Sequence, residues 1–573
     1  MNAWLLGVPL LPLLLALLVG WRPLQIGLQR LVPWAALPAL LTAILVPVGT
    51  EARFDWLLLG TTLGLDPIRQ AFLALTAGLW LAAGLFARDN RRGDPLRHRF
   101  HVFWLLALAG NLGLILAQDA LAFYLFFSLM SLAAYGLVVH PNTREAWRAG
   151  RFYLVLAILG EVLLFAGLAM AVREAGAMEL SALAAARPDG LALLLLLVAL
   201  GIKAGMLPLH FWLPLAHPAA PVPASAVLSG AMIKAGLFGW LQLFPIDAAG
   251  HAVLGEGLIL LGLAAAFLGA LAGVLQQRPK TILAYSSISQ MGLMTTGVGL
   301  ALLLPEAREW LVAAVVLYAV HHGLAKGALF LGAGMDRQRP TTPTGRVLFA
   351  LFALLPALAL AGLPFTSGAL AKNALKDPLE ALATTAGWLA HVEAALTLAA
   401  IGTTLLMLRY LWCWRAGLAT REGPPAWRSW SAWGGLASIS VLLPVAALLA
   451  AAGGAPTTAG DLFGWSLLWP ILAGLGIGLA VARLQRQRTT PRLPEGDLAV
   501  VLEALTRSLR LLATASLRLP PSRHPARLRL ARCWLRRKLG SAERVLTRWE
   551  TIGLLFTAAM LGIYLTLLAG QGR

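Results

Sequence analysis

A chain of 573 residues that is 59% hydrophobic and only 13% charged, with a mean hydropathy of +0.76, has too little polar surface to fold as a water-soluble domain. Its formal net charge of +20 would suggest nucleic acid in a soluble protein, but the basic residues sit between apolar windows, where a topology signal accounts for them and excludes nucleic-acid binding. Cys413 and Cys533 show no CxxC or Cys/His spacing, which excludes an iron–sulfur cluster or a structural zinc site.

Read in chain order, apolar windows of spanning length predict helices at 3–20, 31–48, 66–87, 101–117, 119–139, 151–172, 190–213, 223–244, 253–275, 282–304, 310–335, 346–371, 386–413, 431–453, 464–482 and 551–569. The first window lacks a basic flank and a small-residue cleavage site, so it reads as a retained helix. Basic residues crowd alternate loops: Arg22 and Arg30, Arg88 to Arg99, Arg144 to Arg151, Arg278 and Lys280, Arg337 to Arg346, and Arg415 to Arg428. The positive-inside rule puts those loops in the cytoplasm of a bacterial-type inner membrane and the N-terminus outside. The connection 483–550 is basic, with Val501, Leu502, Leu505, Leu509 and Leu512 at helical spacing. It reads as a cytoplasmic interfacial amphipathic helix, or as a basic linker that the Pro-rich stretch 519–525 interrupts.

The chain holds 39 arginines and seven lysines, and six of the lysines (Lys203, Lys234, Lys280, Lys326, Lys372 and Lys376) fall between 203 and 376. Lysine sheds its proton when desolvated and arginine does not, so lysine can carry protons where arginine cannot. At about 1.5 Å of rise per residue, Lys203 lies roughly 16 Å before a turn near Pro214 and Lys234 roughly 18 Å after a turn near Val222. Lys326 and Glu161 fall at similar depth, so four ionisable groups share one level. Structural ion pairing is the plain reading; a transport path is the sharper one, because charges at helix centres are costly.

Two of these spans carry breaks: Pro208 and Pro214 follow Lys203, and Pro364 precedes Lys372. Irregular backbone at this depth is tolerated where it is buried or lines a hydrated cavity. The mirrored order of lysine and break, five helices apart, predicts an inverted repeat. The fold expected is an all-α polytopic membrane protein of about 14 to 16 transmembrane helices, with inverted five-helix repeats and two broken helices. Its parts are helices 1–3 within 1–100, a first repeat at 101–244, a second at 253–413, two helices within 414–482, the linker 483–550 and a last helix within 551–573.

His322 stands four residues before Lys326 on one helical face, as a relay requires, while His321 points elsewhere. His210 and His217 flank the first break, where capping and relay roles are equally open. Lys280 reads as a loop charge and Arg409 as a snorkelling side chain. Glu393 with His391 lines an exit path or faces a partner, and Asp66 and Asp119 read as helix caps.

The stretch KAGMLPLHFWLPLAHPAAPVPASAVLSGAMIKAG at 203–236, with RPKTILAYSSISQMG at 278–292, HHGLAKGALFLGAG at 321–334 and LPFTSGALAK at 363–372, resembles the proton-conducting antiporter-like family. That family includes the three large membrane subunits of respiratory complex I, the two large subunits of Mrp-type antiporters, and their relatives in membrane-bound hydrogenases. The resemblance implies Lys203 as the principal lysine, Lys234 as the connecting lysine, His322 and Lys326 as the next relay elements, and Lys372 as the terminal group. The long linker before a last helix is most similar to the L-type complex I subunit. In AQDALAFYLFFSLMSLAAYGLV at 117–138, Ser128 stands where the family usually places a glutamate, and Glu161 is the replacement expected to pair with Lys203.

The function expected is a proton-translocating subunit of a membrane-bound, respiratory-type, redox-driven complex; a cation/proton antiporter component and a non-pumping structural subunit are the alternatives. The sequence carries no P-loop, Rossmann fingerprint or haem motif, so no cofactor is expected in this chain. The expected partners are other membrane subunits, the lipid bilayer, and protons or Na+.

Overall fold

In hydrocarbon every backbone N–H and C=O must be satisfied within the protein, so long Leu- and Ala-rich runs fold as helices. The computed structural model describes residues 3–21, 23–188, 190–246, 251–335, 340, 342–382, 387–417, 426–451, 464–485, 494–496, 499–500 and 503. The expected helix at 551–569, nearly all of the 483–550 linker and Cys533 lie outside the described residues. The geometry below belongs to the unit 1–500.

The chain opens with α1 (Ala3–Gly20) and the short α2 (Leu37–Leu45). A hairpin of β1 (Thr50–Phe54) and β2 (Thr61–Leu65) leads into α3 (Pro67–Asn90), α4 (Arg97–Leu116), α5 (Ala120–Val138) and α6 (Arg144–Ala175). Next come α7 (Gly190–Ala204) and α8 (Trp212–Ala219), the halves of one broken span, then α9 (Val222–Val227) and α10 (Lys234–Leu243), which flank a π-helical stretch at Leu228–Met232. They are followed by α11 (Ala252–Val274), α12 (Pro279–Leu303) and α13 (Arg308–Ala333). The second broken span is α14 (Pro343–Ala361) with α15 (Ser367–Leu382), and α16 (Trp388–Ala416), α17 (Trp427–Ala451) and α18 (Trp465–Gln485) complete the described helices. Among the described residues, 11 helical segments are long and apolar enough to cross a membrane. The chain is a multi-pass membrane protein.

Three features depart from the sequence expectation. The β1–β2 hairpin, with Thr50 opposite Leu65 and Phe54 opposite Thr61, clamps the turn between α4 and α5: Gln118 N–H donates to Thr62 O (2.9 Å), and Thr62 N–H donates to Asp119 (3.2 Å). Of the two prolines expected at the first break, Pro208 lies in it, between Ala204 and Leu209, whereas Pro214 falls in the first turn of α8, where a missing N–H costs nothing. The chain turns instead at Ala220–Pro221. The span 346–371 is broken over residues 362–366 beside Pro364, as expected, but its second half runs on to Leu382, beyond the expected bound.

Burial is graded across the bundle. The segment Val222–Leu243 is buried along its whole apolar window, whereas α6 and α14 leave most of theirs uncovered. α12 is polar for a spanning helix, with Ser286, Ser287, Ser289, Gln290, Thr295 and Thr296 all buried, because neighbouring helices surround it. It packs most extensively on α11, where a Cβ on Gly262 would come within 2.6 Å of Gly292 O, so only small residues allow the approach.

The basic loops meet one another. Asp89 in the last turn of α3 pairs with Arg428 at the start of α17 (3.7 Å), His140 after α5 with Asp94 (2.8 Å), and Arg278 before α12 with Glu145 at the start of α6. At the opposite helix ends Asp66 and Asp119 cap α3 and α5, accepting from the N–H groups of Arg69 and Ala122 (2.8 Å each). Arg409, expected to snorkel, donates to Gln276 O (2.9 Å) and ties α16 to the end of α11. Asp119 joins cap and hairpin, so Asp119→Ala should lower the detergent-solubilised protein's unfolding free energy by about 1–2 kcal/mol. A thermal-shift comparison checks this, with Asp119→Asn retaining most of the stability.

Candidate functional site

Lys203 occupies the last turn of α7, and the break that follows frees carbonyls around it. Trp212 Nε1–H donates to Ile202 O (2.9 Å), and Met206 N–H reaches back to Gly201 O (2.9 Å). The Lys203 amine is buried and donates to Ser131 Oγ (3.0 Å), with Tyr153 Oη at 3.4 Å. Tyr153 in turn donates to Ser131 O (2.8 Å). The rings of Phe127 and Tyr153 each lie 5.8 Å from the Lys203 nitrogen, within cation–π range.

Glu161 is buried too, but among the described residues it makes no direct ion pair with Lys203, and its Oε1 has no hydrogen-bond partner. The two groups still act on each other electrostatically. A cavity of about 20 Å³ lined by Lys203, Ser131, Tyr153 and Gly160 has room for a water molecule. Ser128 is buried on the same helix as Ser131.

Lys234 begins α10 and is fully buried. Its amine donates to Ser229 O (2.7 Å), a carbonyl of the π-helical stretch, where widened turns leave acceptors unpaired. The hydroxyl of Ser229 is 2.7 Å from that of Ser287 on α12, and Ser287 Oγ donates to Leu283 O (3.0 Å). The same carbonyl accepts from Lys326 Nζ (2.8 Å). Lys234 and Lys326 are thus joined through two serines and two carbonyls, on α10, α12 and α13.

The histidines divide between two directions. Both ring nitrogens of His322 are buried without a protein partner, within electrostatic reach of Lys234 and Lys326. His321 turns away, as its position predicts, and its Nδ1 meets Ser367 Oγ at 2.7 Å, at the start of α15. His217 stacks on Phe330 (centroids 4.7 Å) with both nitrogens unpartnered, and His210 is buried in the single turn Leu209–Phe211 between the half-helices.

At the second break Lys372 Nζ donates to Ala361 O (2.6 Å), the carbonyl that α14 leaves open. Gly362 adopts a φ of +90°, and a Cβ there would stand 2.9 Å from Lys372 Nζ, so glycine is required by both backbone and neighbour. A cavity of about 20 Å³ beside Lys372 is lined also by Lys376, Tyr318, Thr397 and Ser466. His391 is exposed and Glu393 half-buried, and neither lines this cavity.

Four groups escape the sequence reading. Ser131 and Tyr153 hold Lys203, and Ser287 connects Lys234 to Lys326; each carries only a hydroxyl within a spanning helix, with no signal beyond that. Lys280 is the fourth and corrects its reading as a loop charge: its amine turns inward to Ala220 O (2.5 Å), where α8 ends. Among the described residues no group of three or more His, Cys, Asp or Glu side chains gathers to hold a metal ion.

Residues 117–398 match the family described as NADH:quinone oxidoreductase/Mrp antiporter, TM. Hydrogenase-4 component B of Escherichia coli is 34% identical over 266 residues, 44% of this chain and 40% of that protein, so the chain spans less than half of that relative's length. NAD(P)H-quinone oxidoreductase chain 4 2 of Microcystis aeruginosa is 30% identical over 397 residues, 65% of this chain and 69% of that protein. The solved Mrp complex of a Dietzia species contains a chain that superposes with a TM-score of 0.73 over 95% of this chain and 63% of its own length, at 22% identity; that likeness is one of fold. Matched motifs and shared length together place the protein: it belongs to the NADH:quinone oxidoreductase/Mrp antiporter transmembrane family.

Proposed function

We propose that this chain is a proton-translocating, antiporter-like subunit of a membrane-bound respiratory-type complex of the NADH-dehydrogenase or hydrogenase kind. In this reading protons pass from Lys203 through Lys234 and the His322/Lys326 pair toward Lys372, with Glu161 acting on Lys203 across an intervening water. The observation that carries the reading is the pair of buried amines Lys234 and Lys326 held on the carbonyls of Ser229 and Leu283, on segments that the Ser229–Ser287 hydroxyl contact ties together. These lysines rest on neutral carbonyls, which hold both the charged and the neutral amine. A carboxylate in direct contact would favour the charged form alone.

Partner subunits supply the driving force in this proposal. The basic face lies toward the cytoplasm of a bacterial-type inner membrane, with the N-terminus outside, as the positive-inside rule requires. The two five-helix groups that carry the breaks form an inverted repeat. A second reading, cation/proton exchange, draws support from the fold likeness to a chain of the Mrp complex.

In inverted membrane vesicles bearing the intact complex, Lys203→Ala should reduce proton flux by about 100-fold, the lower end of what a positioned proton-transfer group contributes. Lys203→Arg should be equally poor, because arginine keeps its proton. Full flux in the arginine variant would show that a fixed charge suffices and that proton release by this residue is wrong. Flux that depends on Na+ would favour exchange over pure proton transfer.

Ser287→Ala removes the hydroxyl link while leaving both lysines in place. Flux should fall about tenfold, the rate equivalent of one lost hydrogen bond of about 1.4 kcal/mol, with the amount of assembled complex unchanged. Wild-type flux in this variant would remove the Ser229–Ser287 link from the path.

A further inference from the structure

Away from the lysine chain, four guanidinium groups converge on one pocket. A cavity of about 260 Å³ is lined by Gln29, Arg30, Arg88, Arg92 and Arg97. Arg30 comes from the connection between α1 and α2, Arg88 from the last turn of α3, Arg92 from the turn beyond it, and Arg97 from the first residue of α4. Arg88 lies within electrostatic reach of Arg30, Arg92 and Arg428 and of one carboxylate, Asp89; Arg97 lies within reach of Arg88 and Arg92 and of Asp94.

The protein neutralises only part of this cluster: of its four arginines, Arg92 alone has a carboxylate in ion-pair range. Asp89 is shared between Arg92 (3.1 Å) and Arg428 (3.7 Å). Asp94 is taken by Arg91 (3.1 Å) and His140 (2.8 Å). Among the described residues no carboxylate stands within ion-pair distance of Arg30, Arg88 or Arg97, and the buried Nε of Arg97 has no hydrogen-bond partner. α4 also begins against the usual charge pattern. Its first turn holds Arg97, His98 and Arg99, no acidic residue, and no side-chain cap at Leu96, although helix N-termini favour negative charge. Repelling cations at an uncapped helix start hold together at little cost only when an anion joins them.

We infer that this pocket binds a phosphate group. Guanidinium forks match phosphate oxygens two at a time, and the open N–H groups of α4 add donors of the same preference. The exposed Trp21 (61%) and Trp34 (45%), with Leu24 and Leu31 also exposed nearby in the chain, are residues suited to the membrane–water boundary. That level suits the headgroup of an anionic phospholipid whose acyl chains lie along α1 and α2; free inorganic phosphate shares the same chemistry.

The test uses the full chain in its complex, purified in mild detergent, with Arg88→Gln/Arg97→Gln compared with wild type and with Arg151→Gln, an exposed basic residue elsewhere. Wild type and Arg151→Gln should retain a tightly bound anionic phospholipid by native mass spectrometry, and the double variant should lose it. Added phosphatidylglycerol should raise the melting temperature of delipidated wild type but not of the double variant. A saturable shift with inorganic phosphate alone, abolished by the same variant, would assign the site to free phosphate. Equal lipid retention together with equal melting responses to both ligands in all three proteins would overturn the site. Arg97→Gln alone provides the comparison if the double variant does not assemble.

Discussion

A buried ammonium group needs acceptors, and a broken helix needs donors; much of this structure follows from meeting both needs at once. Lys234 donates to the carbonyl of Ser229 in a π-helical stretch, Lys372 to that of Ala361 at the second break, and Lys280 to that of Ala220 where the first broken span ends. A carbonyl left without a donor in a dry interior costs several kcal/mol; Ala220 O also takes the Ser225 hydroxyl at 3.4 Å. Each lysine would by itself be an unsatisfied cation. Paired, they satisfy each other without a carboxylate. A carbonyl continues to accept from an amine that has lost its proton, so these contacts survive a change of charge.

That arrangement explains which parts were legible in the sequence. Apolar windows gave most of the helices, because lipid leaves the chain few other ways to satisfy its backbone. The scarcity of lysine marked Lys203, Lys234, Lys326 and Lys372, and their burial agrees with that reading. The acceptors were not legible, since a backbone carbonyl has no residue type: nothing in LSGAM announces a π-helical stretch whose carbonyl holds Lys234. Lys280 was misread for the same reason, its partner being main chain. Pro214 misled because proline marks a helix start as readily as a break. The hairpin Thr50–Leu65 was hidden by its short strands.

Spacing of like charges supplies the coupling a path of this kind requires. Lys234 and Lys326 are linked through only two serines and two carbonyls, and the charge on one acts on the other. In a low-dielectric interior two ammonium groups at such range oppose each other strongly, so loading one favours neutrality at the other. His322 lies within reach of both and has two free ring nitrogens. A neutral imidazole there can accept on one side while donating on the other.

The two ends of the lysine series are built differently. Lys203 is held by hydroxyl and aromatic groups of α5 and α6, with Glu161 within electrostatic reach. Lys372 is held by a carbonyl, with a second lysine, Lys376, as its charged neighbour. Lys203 thus has an acidic side chain within electrostatic reach and Lys372 a basic one, so the two amines face opposite side-chain chemistry. In the proposed series, a change of charge near Glu161 would act on the Lys203 end and one near Lys376 on the Lys372 end.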